Sequence, residues 1–307
     1  MPVVADIVQE LVPDLVALEA TRIGAILAGG LAGILVAERR RLRGLTRTVL
    51  FVRWRTWLIA APMFLFAVSW STGTALALVL ALAMQGTREY AQLVGLPGPY
   101  RLVLLSMAAT ALPVALVSPA LWPWLPGIVV GLVTLVPLLM GDVDHGARHL
   151  ALTSLGFALL PWTLGFLLIL RERFGAPIVL AIGTGVALSD VLAWATGSLV
   201  GHRPLAPALS PRKTREGLIG TVVGALIGYH LLASSVPLPG RSIAGIALPL
   251  AIAVGATWGD LLESLLKRSA GVKDAGNWLP GFGGLLDRID SLIGALPICF
   301  LALEVLT

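Results

Sequence analysis

The sequence contains little charge: only 13% of its 307 residues are Asp, Glu, Lys or Arg, whereas 57% are hydrophobic. Because a soluble domain carries about 25% charged residues, this chain lacks the polar surface that a water-soluble globule needs. Disordered chains are rich in charge and poor in apolar residues, so disorder is excluded as well. The single cysteine, Cys299, rules out a disulfide framework and a cysteine-based zinc site. The composition therefore indicates a protein that resides in a membrane.

The sequence contains many long apolar runs. They lie at about residues 22–37, 56–70, 72–86, 102–118, 120–140, 150–170, 177–189, 217–236, 242–259 and 289–306. A helix needs about 20 apolar residues to cross the hydrocarbon core, and it satisfies its own backbone hydrogen bonds there. We predict an all-α, polytopic integral membrane protein with about ten transmembrane helices, nine or ten in number.

Basic residues are divided unevenly between the segments that join these runs. One alternate set of segments holds 18 of the 22 Lys and Arg residues, and the opposite set holds Arg22, Arg171, Arg173 and Arg241. Because cytoplasmic loops carry the excess of Lys and Arg, the first set is predicted to face the cytoplasm of a bacterial-type plasma membrane. Both termini are then predicted to lie outside. The net charge of +5 has this topological cause, and no nucleic-acid partner is expected.

Seven of the 17 acidic residues lie between positions 190 and 290, where two segments combine acids with bases and glycines. In residues 259–291, a polar stripe recurs at helical spacing along a leucine-rich helix, formed by Asp260, Ser264, Lys267 and Arg268. Glycines follow, including Gly283 and Gly284, in a loop that can bring backbone N–H groups close to a ligand. Asp287 and Asp290 then lie three residues apart on one face of the next helix.

This first segment has two interpretations. Carboxylates hold Mg²⁺ through oxygen ligands while bases and loop amides bind phosphate oxygens, which predicts a metal and polyphosphate site. The alternative is a charged loop whose opposite signs simply balance.

The second segment, Ser210–Gly217, follows Asp190 and is a basic loop with hydroxyl groups at a helix start, with Ser210, Lys213 and Thr214. It is interpreted either as a phosphate-binding loop or as ordinary cytoplasmic charge. The predicted topology places both segments on the same membrane face.

At these positions the sequence resembles the phosphatidate cytidylyltransferase (CDP-diacylglycerol synthase) family. The family signature is matched at fixed spacing by Ser264, Lys267-Arg268, Lys273-Asp274, Gly276, Leu279-Pro280-Gly281, Gly283-Gly284, Asp287-Arg288 and Asp290. An upstream pattern is matched by Asp190, Gly197, Gly201, Ser210-Pro211, Lys213-Thr214 and Glu216-Gly217. The resemblance is strong over about residues 185–295 and weak over the N-terminal half, which offers only Arg88-Glu89-Tyr90.

The resemblance implies a nucleotidyltransferase of phospholipid biosynthesis that makes CDP-diacylglycerol and pyrophosphate from CTP and phosphatidate. It implies catalytic roles for Asp260, Lys267, Arg268, Asp287 and Asp290. Substrate or phosphate binding is implied for Ser210, Lys213, Thr214, Ser264, Lys273, Gly283, Gly284 and Arg288. One or two Mg²⁺ ions, with a monovalent cation as a further candidate, would be held by Asp190, Asp260, Asp274, Asp287 and Asp290.

The resemblance also implies an organisation. Residues 1–180 would form a scaffold of transmembrane helices, and residues 181–307 a catalytic region with its cytoplasmic motifs at 190–217 and 259–291. The partners expected are CTP, phosphatidate or a related lipid phosphate, the lipid bilayer and a second copy of the chain in a homodimer.

One residue departs from the family pattern: Phe282 stands where the family usually has His, between Gly281 and Gly283. This departure keeps open a CTP-dependent transferase acting on another lipid phosphate or a polyprenol. An ion-coupled transporter using Asp190 and a catalytically silent, lipid-binding paralogue are further alternatives. Charge clustered at the predicted helix ends, rather than mid-span, argues against the transporter.

Overall fold

The computed structural model describes residues 2–39, 46, 48–233, 241–272, 275–276 and 283–306. The elements run in the order α1 (Pro2–Ala37), α2 (Val49–Trp70), α3 (Thr72–Leu93), α4 (Gly98–Val117), a 3₁₀ helix (Pro119–Trp124), α5 (Leu125–Met140), α6 (Gly146–Leu159), α7 (Pro161–Phe174), α8 (Ala176–Val200), β1 (Pro204–Ala206), β2 (Ser210–Thr214), α9 (Arg215–Ala233), α10 (Arg241–Ser269) and α11 (Leu286–Leu306). Apart from one short hairpin, the described chain is helical wherever it is regular, which confirms the predicted fold class.

Eight helical stretches of the described chain are long and apolar enough to cross a membrane. They are Ala17–Val36, Leu50–Trp70, Gly98–Val117, Pro119–Met140, Gly146–Phe174, Ala176–Val200, Ile243–Ser269 and Leu286–Leu306. The two predicted spans without a counterpart among these stretches, at 72–86 and 217–236, correspond to helices α3 and α9. Helix α3 carries Arg88 and Glu89 near its C-terminal end, and α9 begins with Arg215 and Glu216. The predicted run at 217–236 also extends past Ala233 into residues that the structure does not describe.

The chain separates into two compact units, Met1–Thr74 and Ala75–Thr307. The predicted division into a scaffold (1–180) and a catalytic region (181–307) stays a prediction. In the first unit, α1 packs against α2. The indole Nε1 of Trp54 donates a hydrogen bond to the Leu27 carbonyl oxygen at 2.8 Å. Beside it, the Trp54 ring lies 3.5 Å from the position that a Cβ atom on Gly30 would take. The indole of α2 thus packs directly against α1.

In the second unit, helices α8 and α9 are antiparallel and approach each other closely. Gly220 and Gly224 of α9 face the carbonyl oxygens of Leu192 and Leu188 of α8. A Cβ atom at either glycine would lie 2.3 Å from the facing oxygen, so a larger residue does not fit. Small residues that bring two backbones together are a usual means of joining membrane helices.

Helices α10 and α11 are joined in the same way. A Cβ atom on Gly259 of α10 would lie 2.1 Å from the Asp290 carbonyl oxygen of α11, and one on Gly294 would lie 2.1 Å from the Gly255 carbonyl oxygen. The contact holds the first turns of α11 against the C-terminal half of α10.

The basic loop predicted at Ser210–Gly217 contains a strand. Strand β2 pairs with β1 in antiparallel register, with Pro204 opposite Thr214. The Glu216 carboxylate accepts hydrogen bonds from the backbone amides of His202 and Arg203, both at 3.2 Å. These contacts hold the hairpin against the start of α9.

Candidate active site

Two predicted site residues lie inside apolar helices rather than at their ends. The apolar runs end at residues 189 and 259, but α8 continues to Val200, and α10 continues to Ser269 through the polar stripe that was predicted to be helical. Asp190 and Asp260 therefore precede the helix ends by ten and nine residues, about 14–15 Å along the axis. The helices continue because the residues after each acid, rich in Ala and Leu, still favour helix. Ionisable side chains inside such helices are costly and mark functional positions.

An acidic cluster forms where α10 meets α11. Asp260, Glu263 and Asp290 each contribute a carboxylate oxygen, and these three oxygens all lie within 4.8 Å of one another. Glu263 is 2% exposed and Asp290 8% exposed. Gly259 permits this geometry, because it lets the Asp290 backbone approach the turn of α10 that carries the other two acids. Carboxylates this close repel one another, and their oxygens are the ligands that hard divalent cations prefer.

Asp190 adds a fourth carboxylate from α8. Its Oδ1 accepts a hydrogen bond from the hydroxyl of Ser291, on α11, at 3.1 Å. Asp190 lies close enough to Asp260 and Asp290 to repel both electrostatically. Asp190 therefore lies beside the acidic cluster, where α8 meets α11. The structure thus brings together three of the five residues predicted as metal ligands.

Two lysines contact the acidic cluster from different elements. Lys213 of β2 forms an ion pair with Asp260, and Lys267 of α10 forms one with Glu263. The Lys267 ammonium also donates a hydrogen bond to Oδ1 of Asp287 at 2.7 Å. Because an unpaired buried charge is strongly unfavourable, these lysines make the assembly of acids tolerable. Both lysines were predicted at the site as phosphate-binding or catalytic cations, and here they neutralise carboxylates.

Asp287 has different surroundings from Asp290, although only three residues separate them. Besides the bond from Lys267, its Oδ2 accepts hydrogen bonds from the backbone amides of Ala275 at 3.0 Å and Gly284 at 2.8 Å. The carboxylate is therefore engaged on both oxygens; it lies beside Glu263, with which it shares Lys267, but is not one of the three mutually close acids. Its predicted metal role stays a prediction. What its contacts show is that it holds the glycine segment, by which we mean the described residues 275–276 and 283–284.

Glycine is required at position 283 of the glycine segment. Its φ angle is +85°, a conformation that other residues rarely adopt, and a Cβ atom would lie 2.8 Å from Oδ2 of Asp287. The Gly284 amide, predicted to face a phosphate, donates to Asp287 instead. A phosphate-binding role for Gly283 and Gly284 therefore stays a prediction.

The other predicted residues surround the acidic cluster. Arg268 is exposed at the end of α10, and its Nε and Nη1 donate hydrogen bonds to the carbonyl oxygens of Leu209 and Val272, both at 3.2 Å. It therefore joins α10 to the turn of the hairpin. Oγ1 of Thr214 accepts a hydrogen bond from the Gly217 amide at 3.1 Å. Ser210 lies on β2, Ser264 is buried one residue after Glu263, and Arg288 is exposed on the first turn of α11.

Three predicted or singled-out residues, Lys273, Asp274 and Phe282, lie outside the described residues, so the roles predicted for them stay predictions. Two residues of the site were not predicted. Glu263 follows Asp260 by three residues, a spacing that places both on one helix face and could have revealed it. Glu89 reaches the start of α11 from α3, and no local pattern connects positions so distant in the sequence.

Asp142, in the turn between α5 and α6, provides a contrasting acid within the same unit. The Tyr100 hydroxyl donates a hydrogen bond to Oδ2 at 2.9 Å, and Nδ1 of His149 lies 2.8 Å from the same oxygen. Hydrogen bonds from His149 and then from Tyr100 hold the pKa of Asp142 below its ordinary value. Neighbouring side chains thus already engage the Asp142 carboxylate, so Asp142 serves as a control for the acidic cluster.

Fold and site together define a class: a polytopic α-helical membrane protein with a lysine-paired acidic cluster between its apolar helices. The sequence model of the Cytidylyltransferase family matches residues 51–306. Since this match covers most of the 307 residues, the chain belongs to the cytidylyltransferase family.

Characterised relatives share a part of this sequence. The phosphatidate cytidylyltransferase of Thermotoga maritima is 36% identical over 171 residues, which cover 54% of this chain and 63% of that protein. Phosphatidate cytidylyltransferase 5, chloroplastic, of Arabidopsis thaliana is 39% identical over 145 residues, with coverages of 47% and 34%. The phosphatidate cytidylyltransferase of Brucella abortus is 39% identical over 130 residues, with coverages of 42% and 48%. The chain thus spans less than two thirds of the length of each relative.

Proposed function

We propose that this protein is a CTP:phosphatidate cytidylyltransferase that forms CDP-diacylglycerol and pyrophosphate in phospholipid biosynthesis. The observation that carries the proposal is the cluster of Asp260, Glu263 and Asp290 with its two paired lysines. Membership of the family supports the same activity, because relatives that share this part of the chain are named for it.

The proposed reaction requires charge neutralisation more than proton transfer. A phosphate oxygen of phosphatidate attacks the α-phosphorus of CTP, and the bond from that phosphorus to the departing pyrophosphate breaks. The attacking phosphate monoester has a second pKa of about 6, so it is mostly ionised at neutral pH without a general base. The protein must therefore bring two anions together and stabilise the charge that develops on pyrophosphate.

The acidic cluster has the donor chemistry that Mg²⁺ requires. Its three carboxylates offer hard oxygen atoms within 4.8 Å of one another, and Glu263 among them is buried. We assign one Mg²⁺ to Asp260, Glu263 and Asp290, with Asp190 as the candidate to hold a second ion. When bound, Mg²⁺ would polarise phosphate oxygens and offset the charge of the leaving pyrophosphate.

The bases around the acidic cluster would bind the two anionic substrates. Lys213 and Lys267 already lie against the acids, and Arg288 is exposed on the neighbouring turn of α11. Arg268 would act mainly by holding the hairpin that carries Lys213, since it donates to the Leu209 carbonyl oxygen. Val191 and Trp194 are exposed on α8 next to Asp190, which would let a lipid phosphate approach while its acyl chains stay in the bilayer.

The site is proposed to face the cytoplasm, where CTP is available. The support is the distribution of basic residues, because the segments on this side hold 18 of the 22 Lys and Arg residues. The outward placement of both termini and a homodimer stay predictions.

A direct assay tests the proposal. Purified protein in lipid–detergent micelles receives CTP labelled at the α-phosphate and one acceptor: phosphatidate, a polyprenyl phosphate or none. We expect label to enter phosphatidate with equimolar release of pyrophosphate, and chelation of divalent cations to stop the reaction. Asp260→Asn should lower the rate by at least about 100-fold, because a ligand of the catalytic metal is lost.

The matched control is Asp142→Asn, which makes the same change at an acid whose partners are Tyr100 and His149. It should retain nearly the wild-type rate. Label that enters only the polyprenyl phosphate would show that the proposed acceptor is wrong, and no CTP turnover with any acceptor would overturn the proposal.

A further inference from the structure

Glu89 of α3 makes contacts that neither its own helix nor the acidic cluster explains. Its Oε1 accepts a hydrogen bond from the backbone amide of Leu285 at 3.0 Å, and its Oε2 accepts one from the amide of Leu286 at 2.8 Å. The side-chain amide of Gln85 donates to Oε1 at 2.8 Å. Glu89 itself is 3% exposed. A buried carboxylate from near position 90 is therefore bound to backbone that lies almost 200 residues further along the chain.

The amides that Glu89 binds belong to the start of helix α11. The first amides of a helix have no partner within the helix, and they carry the positive end of its dipole. A carboxylate placed there satisfies the amides and interacts favourably with the dipole. Glu89 thus caps α11 from another helix, at the place where a residue preceding the helix ordinarily would.

Two glycines of the glycine segment fit around this side chain. A Cβ atom on Gly284 would lie 2.5 Å from Oε2 of Glu89, and one on Gly276 would lie 3.2 Å from its Cδ. Both positions belong to the pattern that matches the family signature. The Glu89 side chain gives a physical reason for the absence of a Cβ atom at each.

We propose that Glu89 is a positioning residue, which fixes the start of α11 and thereby the rotation of the turn that carries Asp287 and Asp290. Asp287 receives Lys267 and two amides on this turn, and Asp290 joins the acidic cluster. If the cap is lost, the first turn of α11 loosens and the cluster of carboxylates loses its spacing. The effects on catalysis and on metal affinity rest on the proposed function and its metal site, whereas the effect on amide exchange does not.

The test substitutes Glu89 by Gln, which keeps the size of the side chain but replaces one acceptor oxygen by an NH₂ group facing a backbone N–H. Hydrogen exchange of peptides covering residues 283–290 should become at least tenfold faster. Binding of Mn²⁺ without nucleotide, followed by electron paramagnetic resonance, should weaken about tenfold, as when outer support of a metal site is removed. With CTP and phosphatidate, kcat should fall more than KM rises.

A matched control and a double variant make the test specific. Glu172→Gln makes the same change at an exposed residue near the end of α7 and should leave all three measurements at their wild-type values. Gly276→Ala should accelerate exchange at residues 283–290 in the wild-type background and add nothing in Glu89→Ala, because Glu89 supplies the atoms that the new methyl group would meet.

Unchanged exchange in Glu89→Gln would overturn the proposal, as would additive effects of Gly276→Ala and Glu89→Ala on exchange. Should Glu89→Gln fail to fold, the Gly276→Ala exchange measurement in the otherwise wild-type protein still decides, since normal exchange there would contradict the cap. A wild-type protein without CTP turnover would contradict only the proposed function.

Discussion

The helix pairs α8–α9 and α10–α11 both approach through glycine, yet only the second brings carboxylates together. In α8–α9, the glycines face carbonyl oxygens of leucines, Leu188 and Leu192, whose side chains carry no chemistry. In α10–α11, Gly259 faces the carbonyl oxygen of Asp290 and directly precedes Asp260. The same glycine packing therefore only holds the helices together in α8–α9, whereas in α10–α11 it also determines the distance between Asp260 and Asp290.

The comparison shows how a charged site can be held inside apolar helices. Close backbones bring Asp260, Glu263 and Asp290 together, and their mutual repulsion opposes the contact. Two lysines offset this repulsion, one from each helix pair. Lys267 lies on α10, and Lys213 lies on the hairpin that joins α8 to α9. The α8–α9 pair thus contributes a counter-charge through its connection rather than through its glycine contact.

The largest expected effect is on Mn²⁺ affinity, and it should distinguish the acid of α11, Asp290, from the acid of α8, Asp190. We expect Asp290→Asn to weaken Mn²⁺ binding by about 100-fold, because it removes a ligand from the acidic cluster, and Asp190→Asn to weaken it by less than about tenfold. Electron paramagnetic resonance of the purified protein without nucleotide measures both. In the presence of a chelator, Asp290→Asn should melt no earlier than wild type, since it relieves like-charge repulsion. Equal losses of affinity in the two variants would remove the distinction between the pairs.

Substitutions at the glycine contacts should have effects of intermediate size on stability and Mn²⁺ affinity. Gly259→Ala and Gly220→Ala each force a methyl group against facing backbone, and each should reduce stability by about 1–3 kcal/mol. Gly259→Ala alone should also weaken Mn²⁺ binding, because the displaced backbone is that of Asp290. Thermal unfolding in micelles and Mn²⁺ titration measure the two quantities.

The control for both variants is Gly131→Ala on α5, where a Cβ atom meets nothing within 4 Å. Its stability should lie within about 0.5 kcal/mol of wild type. A loss of Mn²⁺ affinity in Gly220→Ala as large as in Gly259→Ala would show that general loosening, not the Asp290 backbone, disturbs the acidic cluster.

Much of the fold and part of the site could be predicted from the sequence. Apolar runs located the helices because burial in a bilayer requires about 20 apolar residues, and the spacing of the motif identified Asp260 and Asp290. The polar stripe from Asp260 to Arg268 is helical in α10 as predicted, whereas α8 continues past residue 189, where its apolar run ends, because a membrane helix does not stop where its first polar residue occurs. The predicted basic loop also folds into a hairpin held by the Glu216 carboxylate, a contact between side chain and backbone that composition does not reveal.

The remaining parts of the site depend on contacts between distant segments. Helical spacing placed Asp287 and Asp290 on one face and so gave them one role, but spacing does not reveal that backbone amides from the glycine segment occupy Asp287. Glu89 is the extreme case, since its partners lie almost 200 residues away. Such contacts follow from the packing of helices, which local periodicity does not specify.

The smallest expected effect on Mn²⁺ affinity is that of substituting Lys213, which links the α8–α9 hairpin to Asp260 of α10. Its ammonium and a metal ion compete for Asp260, so Lys213→Met should tighten Mn²⁺ binding in the absence of nucleotide. Both side chains are partly exposed, and an ion pair of that kind contributes about 0.5–1 kcal/mol, which corresponds to roughly two- to fivefold in affinity. CTP turnover should fall, because the same lysine is proposed to neutralise phosphate. Arg212→Met, a change at the exposed neighbour on β2, should leave Mn²⁺ affinity unaltered. Weaker Mn²⁺ binding in Lys213→Met would instead show that the lysine holds Asp260 in place for the metal, and the hairpin would then belong to the metal site itself.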